Sequence, residues 1–188
     1  VLDSRLKGIN FYLIGMMGVG KTTVGQILAK RLAYRFFDTD TVIEQLTQQT
    51  VAEIFTTSGE ATFRQLETQV LAELSAYTNQ VIATGGGIVL QRQNWSYLRH
   101  GIIIWLDVSA EQLYDRLRGD TTRPLLQDAD PLQRLHTLLE QRRPLYAQAD
   151  LTIAINATDS PEQIATRILD QLPGILKPDL MPPSHLNE

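Results

Sequence analysis

One stretch limits this chain more than any other: Gly15-Met16-Met17-Gly18-Val19-Gly20-Lys21-Thr22. It matches G-x-x-x-x-G-K-[ST] at every required place. The apolar run Ile9 to Ile14, interrupted by Asn10, precedes it, and Val24, Ile27, Leu28 and Leu32 follow at helical spacing. A strand that ends in glycines and feeds a helix is a phosphate cradle. Glycines let successive backbone N–H groups curl around an anion, and the helix points its positive end at the same place. Gly18, Val19, Gly20, Lys21, Thr22 and Thr23 are therefore the expected contacts of a nucleotide's phosphates. Lys21 can reach the β- and γ-phosphates, and the Thr22 hydroxyl can ligate magnesium. The plainer reading, a glycine turn joining strand to helix, fits this context poorly. Gly25 lies inside the following helix, where glycine costs about 1 kcal/mol against alanine, so close packing of that helix on a sheet is expected.

The same alternation continues to the far end. Phe36-Phe37, Val81-Ile82-Ala83, Ile102 to Leu106 and the weaker Leu151 to Ile155 read as further strands. Between them lie helical patterns, the longest from about Val42 to Tyr77. Strands alternating with helices predict a parallel sheet covered on both faces, with ligands at the carboxyl ends of its strands. Two regions depart from this. Arg118 to Pro131 is polar, with Gly119, Pro124 and Pro131, and is expected to be a mobile loop. From Pro173 onward four prolines and no periodicity predict an extended tail. There is no internal repeat.

Composition then removes several classes of function. The chain has 188 residues, enough for one domain with a real core. A net charge of -4 lacks the basic excess of a nucleic-acid binder. There is no cysteine, and His100, His136 and His185 have no ligand spacing, so neither a disulfide nor a zinc site is expected. The longest apolar run, Ile102 to Leu106, is too short to span a bilayer. Val1 to Asn10 shows no signal-peptide pattern, so a cytoplasmic protein is expected.

The cradle leaves open where the phosphate goes. The N-K-x-D motif of a GTPase and the D-G-F-P-R signature of an adenylate kinase are both missing. Small-acceptor kinases remain. Behind the cradle come Asp38-Thr39-Asp40, Gly59-Glu60 with Phe63-Arg64, Gly85-Gly86-Gly87, Arg123-Pro124-Leu125-Leu126 and Arg142-Arg143-Pro144-Leu145-Tyr146. In that order, from about Ile9 to Leu172, the chain resembles the shikimate kinases.

The resemblance implies a three-layer α/β/α P-loop fold. Its five-stranded parallel sheet would have order 2-3-1-4-5, with a helical acceptor-binding region at about 38–67 and a mobile lid at about 116–131. One kinase domain would span 1–172, ahead of a flexible tail at 173–188. The implied partners are ATP and shikimate, with Mg2+ as cofactor, in a monomer that binds neither nucleic acid nor membrane.

The resemblance also implies roles. Asp40 would orient and deprotonate the acceptor hydroxyl; a helix N-cap is the other use for an aspartate there. Asp38 would hold magnesium through water, alongside Thr22. Arg64 and Arg142 would bind the acceptor's carboxylate. Arg64 also has Glu60 and Glu67 at salt-bridge spacing, and Arg142 could instead complete a helix end ahead of Pro144. Gly86 and Gly87 would meet the acceptor. Phe55 and Phe63 would either wall its pocket or be plain core. Arg123 would cover the phosphates and steady charge, and Arg116 would lie near the adenine, unless both are solvated loop charges.

Ile102 to Asp107 has the form of a Walker B strand. The resemblance places that strand's equivalent at Val81 to Gly87, where no aspartate follows, and a metal on Asp107 would break the alignment. Two rivals stay open. One is a kinase for another small acid such as gluconate, which need not keep Arg64 and Arg142. The other is a nucleotide-binding regulator without turnover.

Overall fold

In the computed structural model, which describes residues 6–119 and 129–176, the apolar runs pair into one sheet. The strands are β1 (Phe11–Ile14), β2 (Arg35–Asp38), β3 (Gln80–Ala83), β4 (Ile102–Asp107) and β5 (Leu151–Ala154). Their order is β2-β3-β1-β4-β5, and all four pairings are parallel. Every residue of β1 and β3 is buried, as expected of inner strands covered on both faces. β5, at an edge, alternates buried and exposed residues. That alternation is why its apolar signal in the sequence is weak.

The helices are α1 (Lys21–Leu32), α2 (Thr39–Thr47), α3 (Val51–Ser75), α4 (Asn94–Leu98), α5 (Ala110–Leu117), α6 (Pro131–Tyr146) and α7 (Pro161–Ile175). From β1 to β2 the chain moves one way across the sheet; every later crossover moves the other way. Right-handed connections therefore put α1 on one face and α3 to α6 on the opposite one. After β5, α7 returns to pack against α1. Gly25 has the reason expected for it. A Cβ there would lie 2.6 Å from the Phe36 ring, so α1 sits closer to the sheet than alanine permits.

The long helical stretch from Val42 to Tyr77 proves to be two helices. Asp38 caps the first, whose end at Gln48 turns left-handed. Thr50 and Glu53 then form a capping box that starts the second. α3 is itself kinked at Gly59, which has φ 82° and ψ 168°. Nothing lies within 4 Å of where a Cβ would stand, so the backbone angle rather than crowding requires glycine there. Beyond the kink α3 buries Phe63, Glu67, Val70 and Leu71. Ile43, Ile54, Phe63 and Val70 form a small core of their own, separate from the one on the sheet.

Three boundaries differ from expectation. Arg116 and Leu117 belong to α5, and Pro131 opens α6, so the expected lid limits fall inside helices. Proline suits a first helical turn, because its missing N–H would have no partner there. Pro144 does not end α6, which runs on to Tyr146. Nor does Pro173 begin an extended tail. α7 continues through it to Ile175, anchored by the buried Ile168 and Leu172. Arg123-Pro124-Leu125-Leu126 and residues 177–188 lie outside the described residues.

Candidate active site

The glycine loop between β1 and α1 takes up the backbone its sequence calls for. Gly18 has φ 76° and Gly20 φ 102°, values that L side chains rarely adopt. Gly20 is the N-cap of α1 and offers no side chain, so the first amides of the helix have no side-chain cap. An anion is the natural partner for such a helix end. Lys21 lies over the loop and is 8% exposed, and its Nζ donates to the carbonyls of Gly15 at 2.7 Å and Met16 at 2.8 Å. Thr22 and Thr23 occupy the exposed first turn of α1. Arg116 reaches back from α5, donating from Nη1 to the carbonyl of Val19 at 3.0 Å. It is thus an exposed helical neighbour of the phosphate loop.

At the end of β2 two aspartates divide the work. Asp38 Oδ1 accepts the backbone N–H of Asp40 at 3.0 Å and of Thr41 at 3.3 Å, capping α2. Its Oδ2 accepts the Thr22 hydroxyl at 2.6 Å. Asp38 and Thr22 therefore present oxygens side by side at the mouth of the loop. Because Asp38 serves as the cap, the Asp40 carboxylate is left out of helix capping. Its Oδ1 is buried with no hydrogen-bond partner. Burial, reinforced by the Asp38 charge, pushes the Asp40 carboxyl up to about 6, against the pull of Lys21 and Arg64.

Arg64 sits in an ion-pair ladder, but its two rungs differ. Glu60 is 63% exposed and Glu67 is fully buried. The Arg64–Glu67 contact is 2.7 Å and holds the guanidinium at 12% exposure. Burial works against the Arg64 charge, and the attraction and hydrogen bonds of Glu67 and Glu60 outweigh it, raising its pKa. Burial also raises Glu67, and its Oε1, like Asp40 Oδ1, has no hydrogen-bond partner. The sequence reading named Glu67 only for its salt-bridge spacing to Arg64. One signal could have singled it out: spaced four and three residues from Phe63 and Val70, it lies on the core-facing side of α3.

The glycine triplet lies among all these groups. A Cβ at Gly85 would stand 2.5 Å from Glu67 Oε1 and 2.8 Å from Asp40 Oδ1, so glycine makes room for both carboxylates. A Cβ at Gly87 would collide with the Arg64 guanidinium. Gly86 is pressed against the phosphate loop, with Met17 N 3.2 Å from the Cβ position. Arg142 Nη1 donates to the Gly86 carbonyl at 3.2 Å. The triplet itself is pinned, since Thr39 Oγ1, fully buried, accepts the Gly85 N–H at 3.0 Å. Among the described residues the N–H groups of Gly86 and Gly87 have no acceptor. Sequence reasoning missed Thr39, for a lone threonine between two aspartates carries no signal.

Phe63 is 4% exposed and belongs to the small core, while Phe55, at 37%, stacks on it with ring centroids 4.8 Å apart. Phe63 is thus core and Phe55 a rim. Asp107, the Walker B lookalike, faces Arg143 at 3.4 Å. Arg143 in turn lies over the Trp105 ring, 5.5 Å from its centroid.

The arrangement can do one kind of chemistry well. A triphosphate on the loop would face an unpartnered carboxylate, two guanidinium groups and two free amides across a few ångströms. Of the residues singled out from sequence, Lys21, Thr22, Asp38, Asp40, Arg64, Gly86, Gly87, Arg116 and Arg142 come together here. Arg123 lies outside the described residues.

Residues 17–173 match the family model described as Shikimate kinase. A curated shikimate kinase from a Nostoc species is 60% identical over 176 residues, covering 94% of this chain and 97% of its own. The solved structure of an Acinetobacter baumannii shikimate kinase in complex with shikimate is 41% identical. It superposes with a TM-score of 0.85 over 90% of this chain and 95% of its own. A Sinorhizobium meliloti gluconokinase structure is 19% identical with a TM-score of 0.52, covering 92% of this chain and 95% of its own, a likeness of fold alone.

Proposed function

Since the chain belongs to the shikimate kinase family, we propose that Asp40, Lys21 and Arg123 carry its reaction, transfer of the terminal phosphoryl group of ATP to the 3-hydroxyl of shikimate. The enzyme makes shikimate 3-phosphate and ADP, a step of aromatic amino-acid biosynthesis. The hydroxyl oxygen bonds to the γ-phosphorus while the bond to the β,γ-bridging oxygen breaks. The hydroxyl proton goes to Asp40, and ADP departs. Little covalent chemistry is asked of the protein, so positioning and charge stabilisation do most of the work.

Gly18, Val19, Gly20, Lys21, Thr22 and Thr23 hold the phosphates, and Arg116, beside the loop at Val19, serves the nucleotide. Arg64 and Arg142 grip the carboxylate of shikimate, and the amides of Gly86 and Gly87 meet the acceptor. The observation that carries this reading is Asp40: a carboxylate with an unpartnered oxygen, lifted to about 6, between the lysine of the loop and the Arg64 cation. It is ionised at neutral pH and basic enough to take a proton in flight. The role of Arg123 rests on its motif, Arg123-Pro124-Leu125-Leu126, in the sequence between α5 and α6.

Thr22 and Asp38 fit Mg2+, a hard ion that prefers oxygen and keeps much of its water. Among the described residues no cluster of three acids or histidines offers a cage for a metal ion. That suits an ion held mostly by phosphates, with Thr22 direct and Asp38 through water. When bound, the ion neutralises charge on the phosphates. Among the described residues no helix is long and apolar enough to cross a membrane. A cytoplasmic monomer is the simplest form for such an enzyme.

An ADP-release assay with shikimate, gluconate or no acceptor tests the reading. Rapid release only with shikimate is expected. Release with gluconate at a comparable rate, or release independent of acceptor, would overturn it.

A further inference from the structure

Two donors converge on one carbonyl in this site. Arg142 Nη1 reaches the Gly86 oxygen at 3.2 Å, and the Tyr146 hydroxyl donates to the same oxygen at 2.7 Å. Tyr146 is fully buried. Its ring stacks on Trp105 with centroids 5.8 Å apart, and Trp105 Cδ1 lies 3.5 Å from the Cβ position of Gly15 in the phosphate loop. Gly86 in turn packs on that loop at Met17. Loop, Trp105, Tyr146 and Gly86 therefore form a closed ring of contacts.

A trans peptide is planar, so holding its C=O also aims its N–H in the opposite direction. There are no cis peptides among the described residues. The oxygen of Gly86 and the N–H of Gly87 belong to the same plane. That N–H has no acceptor, and Gly87 lies against the Arg64 guanidinium.

We propose that Tyr146 is a positioning residue for the acceptor: its hydroxyl locks the Gly86–Gly87 peptide so that the Gly87 N–H faces the bound substrate. This rests on the placing of shikimate beside Arg64 and Arg142. When Arg142 turns its guanidinium to the carboxylate, Tyr146 is the donor that keeps the Gly86 oxygen satisfied. The stacked Trp105 ties that peptide's position to the phosphate loop, and hence to the γ-phosphate in line with the acceptor. Tyr146 touches neither substrate.

Tyr146→Phe keeps the buried ring and deletes one O–H. Its steady-state kinetics are expected to show KM for shikimate raised about tenfold, with KM for ATP within about twofold and kcat lowered less than KM rises. Tyr12→Phe is the control, because it deletes another buried hydroxyl, bonded to Ser75 at 2.9 Å, away from the site. It should lose comparable thermal stability and leave both KM values alone. Equal rises in the two KM values of Tyr146→Phe, or an unchanged KM for shikimate, would overturn the proposal. So would a shikimate-specific defect in the control. Should Tyr146→Phe not fold, the Gly87 amide of the unaltered enzyme decides, followed by NMR while shikimate is added. Its signal should shift strongly and its hydrogen exchange should slow. A Gly87 amide that shikimate leaves unmoved would defeat the idea. An ADP-release assay with saturating shikimate separates this failure from failure of the functional assignment, because the substrate is still phosphorylated if only the role of Tyr146 is wrong.

Discussion

In the proposed assignment the phosphate end and the acceptor end of this site lie side by side, yet they are built by different means. The phosphate end is one continuous loop, Gly15 to Thr22, and works through backbone amides, a helix terminus and one lysine. The acceptor end is collected from four places: α2 gives Asp40, α3 gives Arg64 and Glu67, the turn after β3 gives the glycines, and α6 gives Arg142. Its working parts are charged side chains, several of them buried. Dipoles of a backbone loop are fixed by local geometry and cost little to preorganise. Buried charges hold only when the fold also closes over them, and Glu67 is the case in point: Arg64, three residues away on α3, pairs with it, and the turn after β3 covers it at Gly85.

If the two ends differ in this way, damage to each should carry its own signature. Lys21→Ala should cut kcat by about a thousandfold, since it removes the cation that offsets charge building on the γ-phosphate. Wild-type turnover in that variant would end the comparison. Asp40→Asn should lower kcat by roughly a hundredfold while KM for shikimate stays within a few-fold. In the wild-type enzyme, kcat should rise with pH and level off above about 6, where Asp40 becomes ionised. A profile flat down to pH 5 would remove Asp40 from the role of base. Arg64→Ala should raise KM for shikimate about 30-fold with KM for ATP little changed, a split measurable by varying each substrate in turn.

Smaller effects sharpen the contrast. The Asp40 carboxyl is raised in the folded state, so between its ordinary range and about 6 the folded chain holds a proton that the unfolded chain releases. Stability from this group is therefore greatest at the acidic end and falls as pH climbs to about 6. Asp40→Asn, which keeps no charge, should melt a few degrees higher than wild type at pH 7, and by less at pH 4. An equal or lower melting temperature at pH 7 would mean that the burial of Asp40 is not a cost. Asp107→Asn should change kcat by no more than about threefold and leave the Mg2+ dependence as it was, because Asp107 faces Arg143 in a partly exposed pair. A large rise in the Mg2+ needed for turnover would put the metal on Asp107 after all.

Legibility followed the same line. The five strands were readable from apolar runs, the edge strand β5 most weakly because it alternates. The cradle could be read letter by letter because its function is local. Asp40, Arg64 and Arg142 could be named only through the order of motifs. Nothing near Arg64 in sequence says whether its ladder faces water or the interior, and the two rungs turn out to do one each. Helix ends misled where proline was read as a stop. Pro144 and Pro173 sit inside helices whose neighbouring residues, Tyr146 and Leu172, are buried firmly enough to carry the turn.

What the amino-acid order determined alone was everything with a short reach: the glycine loop and the strand and helix periods. Those depend on dihedral angles and hydrogen bonds within a few residues. Only the packed fold decided which acid is buried and which is solvated, that Asp38 rather than Asp40 serves as the cap, and that Tyr146 meets Gly86 from sixty residues away. The strength of a charge or a buried hydrogen bond depends on the water excluded around it, and that exclusion exists only once distant segments have closed over one another.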